Sequence, residues 1–308
     1  MTVTASFRAL ADRLIDYAGM FPPANLPLEE AVRNYARYQT SPEQWMLSRF
    51  ILPIGRLSDL DGDLMALFSP KQPLHLSLLV ADLQEDLYAF LAFRERHGDR
   101  TTADFLETRF PAEGDVAETV KRGVEQLAEM GIEASPFFEL PFNEEWDDRL
   151  EGAIQAIADA NEAQRRSFGF KLRCGGTEPE QFPSPTQVAR ALLLCRDAGV
   201  PLKCTAGLHH PFRHFSEDVG TTMHGFINIF GGGVLAHVHD LDESSLRPII
   251  EDEEDERFRF SDQMFVWGDL AASPDAISDV RQNALISFGS CSFDEPREDL
   301  RALELIDH

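Results

Sequence analysis

The sequence predicts a (β/α)8 TIM barrel, and three observations carry that prediction. Short apolar runs of strand length alternate with longer amphipathic segments along the chain. Charged markers in the first seven runs (Asp16, Arg49, His75, Glu107, Glu139, Lys171 and Lys203) stand 33, 26, 32, 32, 32 and 32 residues apart, the length of one strand–helix unit. No GxGxxG fingerprint opens the first unit, which weighs against an open, doubly wound dinucleotide fold. Alternation with short turns implies a parallel sheet, and eight units imply closure into one barrel over residues 1–308.

The elements follow in order. SFRALADRL has helical periodicity and runs into an apolar segment, Leu14 to Ala18, closed by Gly19. MFPPANLP is a rigid loop before the helix LEEAVRNYARY. WMLSRFILP is the second strand, followed by a helical stretch around Leu57 to Phe68. LHLSLLV, ADFLETRFP and SPFFELPF are strands three to five, each leading into an amphipathic segment: residues 82–98, 116–131 and 148–166. SFGFKLRCGG and PLKCTAG are strands six and seven, each a lysine among apolar residues ahead of a run ending in glycine. The regularity then breaks into a long excursion over 208–283 that contains the triplet Gly231 to Gly233 and the acidic run Glu251 to Glu256. The triplet is read as breaking or thinning a helix, the acidic run as a solvated loop. NALISFGSCSF is the eighth strand, with QMFVWGDL as the alternative, and EPREDLRALELI is the closing helix.

Composition bounds the function. The formal net charge is −25 over 308 residues, which excludes binding to nucleic acid or anionic membranes through a basic surface. A hydrophobic fraction of 43% argues for a folded core. The start has no secretory pattern and no run approaches a membrane span, so a cytoplasmic protein is expected. Four cysteines without close pairing fit reduced thiols; Cys174, Cys204 and Cys291 are expected as small residues packed near strand ends.

Barrel active sites lie at the carboxyl ends of strands, so polar residues late in apolar strands are the candidates. Alternation puts Glu107 with Arg109, Lys171 with Arg173 and Lys203 with Thr205 on common faces, and Glu139 joins them. Asp16 and Arg49 would complete the rim. The chain has only four lysines against twenty-four arginines, yet two stand here on neighbouring strands. A lysine amine attacks a ketone or aldehyde to give an imine, an electron sink for breaking carbon–carbon bonds. A second cation and burial would keep that amine neutral part of the time, with Glu107 or Glu139 moving protons. Arg49, Arg109, Arg173 and Thr205 are candidate substrate contacts, as are His209 and His210 in the loop after strand seven. Gly175, Gly176 and Ser290 are candidate backbone contacts to an anion.

Lys171 with LRCGG and Lys203 with CTAG resemble the strand-six and strand-seven lysines of class I aldolases of the deoxyribose-phosphate aldolase type. The resemblance implies Lys171 as imine-forming nucleophile, Lys203 as the perturbing cation and Glu107 as acid/base. That family's hydroxyl-rich run after the first lysine is replaced here by Leu172, Arg173 and Cys174. AGMFPPA, KLRCGG, LKCTAGLHHP and GSCSFDEP together also resemble a family of bacterial barrel chains, a resemblance that brings no activity with it.

The expectation is thus a lyase acting on a small anionic carbonyl compound without a cofactor. Two rivals stand beside it. One is a metal-dependent isomerase, lyase or hydrolase in which Glu107, Glu139, His209 and His75 hold a divalent cation. The other is a non-catalytic barrel that binds an anionic ligand or partner.

Overall fold

The computed structural model describes residues 3–60, 62–81, 83–164 and 167–307. Eight parallel strands close into a barrel in sequential order: β1 Ile15–Tyr17, β2 Leu47–Pro53, β3 Leu74–Leu79, β4 Thr101–Arg109, β5 Ser135–Glu139, β6 Gly169–Arg173, β7 Leu202–Thr205 and β8 Leu285–Ser290. The even spacing of the markers reappears as register. Arg109 pairs with Glu139, Glu139 with Lys171, and Lys171 with Lys203 across successive strands. A side-chain period of two then sends all four toward the same interior.

Helices over Leu28–Tyr38, Leu83–His97, Val116–Glu129, Trp146–Gln164 and Pro185–Asp197 form the outer layer between strands. Their starts are written locally. Asp115 accepts the amides of Ala117 and Glu118, and Ser184 and Gln187 cap each other reciprocally ahead of Pro185. Arg165 and Arg166, at the end of the fifth expected helix, and Asp82, at the start of the third, lie outside the described residues. The second unit departs from expectation. Between β2 and β3 the chain makes only a 3-10 turn, Ile54–Asp59, and one short helix, Gly62–Met65. Length does not impose this, because the 80–100 connection of similar length between β3 and β4 holds the 15-residue helix Leu83–His97.

The excursion after β7 contains the barrel's seventh helix. Phe226–His239 is buried from Phe226 to Ala236, and Phe226 stacks on Phe288 of β8 at 5.1 Å. The glycine triplet thins this helix instead of breaking it. A Cβ on Gly231 would stand 2.8 Å from Phe265, and one on Gly233 would stand 2.6 Å from Leu285. The excursion adds a hairpin (His214–Ser216 with Thr221–Met223), the helix Glu243–Glu251 and an antiparallel sheet of Phe258–Phe260, Phe265–Trp267 and Leu270–Ala272. The alternative eighth strand, QMFVWGDL, falls in that small sheet and not in the barrel. The acidic run is not wholly solvated either, because Asp252 is buried and accepts Trp267 Nε1 at 2.7 Å.

The amino ends of the strands are covered by the helices Ala5–Ala11 and Pro274–Asn283. Arg281 ties them together, donating to the carbonyls of Leu10 (2.7 Å), Asp12 (3.0 Å) and Ile286 (2.7 Å).

Candidate active site

The barrel interior holds a column of alternating charge. At its base the Arg49 guanidinium stands 3.7 Å from Asp16 Oδ1. Asp16 Oδ2 meets Lys203 Nζ at 2.8 Å, and Lys203 Nζ reaches Glu107 Oε1 at 2.5 Å. Glu107 Oε2 lies 2.8 Å from Lys171 Nζ, which is also 2.8 Å from Glu139 Oε2. Glu139 Oε1 accepts from Arg109 Nε and Arg173 Nε, each at 3.1 Å. Eight side chains from β1, β2, β4, β5, β6 and β7, with Asp16, Glu107 and Glu139 as the anions, therefore run from the amino end of the barrel to its mouth. Ser287 Oγ donates to Asp16 Oδ2 at 2.7 Å and Ser77 Oγ donates to Glu107 Oε1.

Burial makes these pairs matter, since an isolated buried charge is costly and a paired one is tolerated. Lys203 is 0% exposed and Lys171 is 6% exposed. Burial pushes the Glu107 carboxyl up, but Lys171 and Lys203 outweigh it and hold Glu107 far below the usual carboxylate range. Glu139 is likewise held low against its burial by Lys171, Arg173 and Arg109. Burial pulls the Lys171 ammonium down, yet Glu107 and Glu139 overcome it and its pKa stands above the ordinary lysine value. In the resting site Lys171 is a cation.

The column ends under a cavity of about 350 Å³, the size of a small-metabolite site. Glu107, Arg109, Lys171, Arg173 and Thr205 all line it, as alternation requires. Phe21, Pro22 and Pro23 form one wall, Ile51 and Leu79 another. Glu107 Oε2 and Glu139 Oε2 have no well-directed hydrogen bond among the described residues, although the Lys171 ammonium is close to both. Both oxygens retain acceptor capacity beside the cavity.

His209 also lines the cavity, with Nδ1 3.2 Å from Glu295 Oε2 and 3.8 Å from Cys291 Sγ. Burial pulls His209 down, but Cys291 and Glu295 outweigh it and its pKa is pushed up to about 9. It adds a cation to the mouth at neutral pH. Cys291 borders the cavity too, unlike Cys174 and Cys204, which are fully buried.

Several expected contacts lie elsewhere. Arg49 is not at the mouth: it stacks on Phe105 at 3.6 Å, bonds Asp104 at 3.2 Å and opens on the amino end of the barrel. Asp16 is fully buried inside the column and forms no part of the rim. His75 bonds Thr102 at 2.9 Å near the start of β4. Alternation assigns a side of the sheet but not a height along the strand: Arg49 and His75 occur early in their strands, and Asp16 is the middle residue of a three-residue one. His210 pairs with Asp299 at 2.6 Å outside the cavity lining. Gly175 is needed for packing, because its Cα faces Gly207 so closely that a Cβ would stand 2.9 Å away. Gly176 does line the cavity. Ser290 is buried, with its carbonyl accepting Ala18 N at 2.6 Å, and Gly289 takes the inward position.

The set Glu107, Glu139, His209 and His75 does not converge. Lys171 fills the space between the two carboxylates, and no group of three metal-ligating side chains assembles among the described residues. Sequence reasoning missed Ser77, Ser287 and Cys291, and also Gln181, which lines the mouth cavity. Ser77 lies two residues after the marker His75 and Ser287 two before Gly289, so the alternation used for the lysines would have found both.

No family model matches the chain, and no curated protein matches it. Among solved structures it is similar to a lysine/ornithine decarboxylase complexed with cadaverine from Vibrio vulnificus, at 12% identity and a TM-score of 0.44. That likeness covers 92% of this chain and 58% of the other, so the chain spans little more than half the length of the structure it matches. A likeness of that degree says nothing of the reaction. The barrel stands on its own closed topology, and the aldolase resemblance rests on the two lysine motifs alone. No helix among the described residues is long and apolar enough to cross a membrane.

Proposed function

We propose that the protein is a lyase that makes or breaks a carbon–carbon bond in a small anionic carbonyl compound, with Lys171 as the imine-forming amine. One observation carries this reading: Lys171 is the one lysine bordering the mouth cavity, and its Nζ sits 2.8 Å from two buried carboxylates able to exchange its proton. Lys203, fully buried, holds Glu107 in place and does not reach substrate.

The substrate anion is bound by Arg109, Arg173 and His209. As it draws the two guanidinium groups toward itself, Glu139 loses cationic partners and becomes a stronger base. Glu139 then takes a proton from the Lys171 ammonium. The neutral Nζ attacks the carbonyl carbon, the carbonyl oxygen is protonated to a carbinolamine, and water leaves to give the iminium. A mouth carboxylate then takes the proton of the hydroxyl one carbon further on, the carbon–carbon bond breaks, the far fragment leaves as an aldehyde, and the electron pair of the broken bond enters the iminium, forming an enamine. Protonation at carbon and hydrolysis release the product and restore the amine.

The test is intact mass after borohydride treatment with a panel of small aldehydes and keto acids. A reduced adduct is expected on the wild type and on a control, Arg8→Gln, whose arginine lines a cavity at the amino end of the barrel and not the mouth, and absent from Lys171→Ala. An adduct that persists in Lys171→Ala, or none with any carbonyl, overturns the reading.

A further inference from the structure

At the amino ends of the strands lies a second cavity of about 670 Å³, larger than the mouth and at the opposite end of the barrel. Four arginines line it, Arg8, Arg13, Arg49 and Arg281, against the single acidic residue Asp12. The lining side chains alone leave a formal balance of +3, which Asp16 and Asp104 beside Arg49 reduce to +1, in a chain whose overall balance is −25. A concave surface of one sign inside an oppositely charged exterior concentrates field and selects its ligand by charge.

Two of the arginines are committed. Arg49 is paired with Asp104 and Asp16, and Arg281 donates to three backbone carbonyls. The other two are not. Arg8 lies over the Trp45 ring at 4.1 Å, and Arg13 has no carboxylate within ion-pair distance among the described residues. Arg13 is also held at φ 48, a left-handed conformation that bulky side chains rarely adopt. Phe105 and Phe137, with ring centroids 4.7 Å apart, give the cavity an aromatic floor.

We propose that this cavity binds a small multivalent oxyanion, either a polycarboxylate or a phosphorylated metabolite, through Arg8 and Arg13 at its edge and the field of Arg281 at its depth. The volume falls within the range of small-molecule sites. The acidic exterior opposes approach of a nucleic acid.

Calorimetric titration with pyrophosphate and with citrate tests it, followed in parallel by tryptophan fluorescence because Trp45 lies under Arg8. Saturable binding of at least one anion is expected. It weakens about tenfold or more in Arg8→Gln and in Arg13→Asn, where asparagine tolerates the left-handed backbone, and is unchanged in Arg173→Ala. Preference for pyrophosphate assigns a phosphorylated ligand, and preference for citrate a polycarboxylate. Three results overturn the proposal: neither anion binding in the millimolar range, equal affinity in the Arg8 and Arg13 variants with melting curves unchanged, or loss of binding in Arg173→Ala, which would put the anion at the mouth. The borohydride experiment can fail without touching this one, since the two sites lie at opposite ends of the barrel.

Discussion

At Lys171 two opposing effects meet. Burial favours a neutral amine, while Glu107 and Glu139 favour the ammonium, and the carboxylates prevail. A nucleophile held above its ordinary pKa is protonated through the neutral range, so the reactive fraction rises about tenfold per pH unit until that pKa is passed. Imine formation should therefore climb from neutral into alkaline pH. Glu139→Gln removes one of the two anions and lowers the Lys171 pKa. With the proposed base gone, its borohydride-trapped adduct should form more slowly than the wild type's, while the rate should level off at lower pH. A faster reaction near neutrality would mean instead that Glu139 only holds the ammonium and takes no proton from it. The ion pairs also bind folding to pH at both ends. The raised Lys171 pKa contributes stability below the ordinary lysine value and loses it as pH rises through the folded one, whereas the depressed Glu107 and Glu139 contribute above the ordinary carboxylate value and lose it as pH falls. The four mouth positions Arg109, Glu139, Lys171 and Arg173 were legible from spacing and alternation alone. Asp16 and Arg49 were legible as inward residues but not as residues of the lower barrel, because period two carries no information about height.

The turn after β7 shows how an element shapes the mouth. Ala206 and Gly207 adopt φ 58 and φ 70 in succession, and Gly207 meets the loop after β6 at Gly175. A Cβ on Gly207 would stand 2.7 Å from Gly175 Cα and 2.9 Å from the Cys174 carbonyl oxygen, both backbone atoms that cannot swing aside. Gly207→Ala thus combines left-handed strain with a steric clash. It is expected to cost at least about 2 kcal/mol in urea unfolding and to shift the loops carrying Arg173 and His209. A loss below about 0.5 kcal/mol would mean that the two loops separate easily. The glycines of KLRCGG and CTAG are thus used in part for backbone contact, a role sequence alone does not separate from anion binding. The seventh helix was hidden for a related reason. Gly231 to Gly233 lower helix propensity, so the segment reads as a break, and only Phe265, Ile249 and Leu285 packed against it reveal why side chains are missing there.

Across the whole molecule, the net charge of −25 sets an acidic exterior around a barrel with a cation-lined cavity at each end. Self-repulsion of that exterior opposes folding and is screened by salt, whereas the buried column is screened far less. The melting temperature should accordingly rise as sodium chloride is raised from low ionic strength to about 0.5 M, where the Debye length has fallen below 10 Å. A falling melting temperature would instead identify exposed ion pairs as the dominant electrostatic contribution. Fold class was the most legible level of all, because eight repeated units leave few ways to close a parallel sheet, while the lower cavity depends on two helices far apart in sequence and had no local signature. The alternation of sign along the barrel axis has one more consequence. In the proposed reaction the resting ammonium and the iminium carry the same single positive charge at the same atom, so the surrounding anions solvate both states alike. Only the uncharged amine and carbinolamine between them leave the axis out of balance, so the neutral intermediates are the short-lived ones and the covalent cation is the state in which the interior comes to rest.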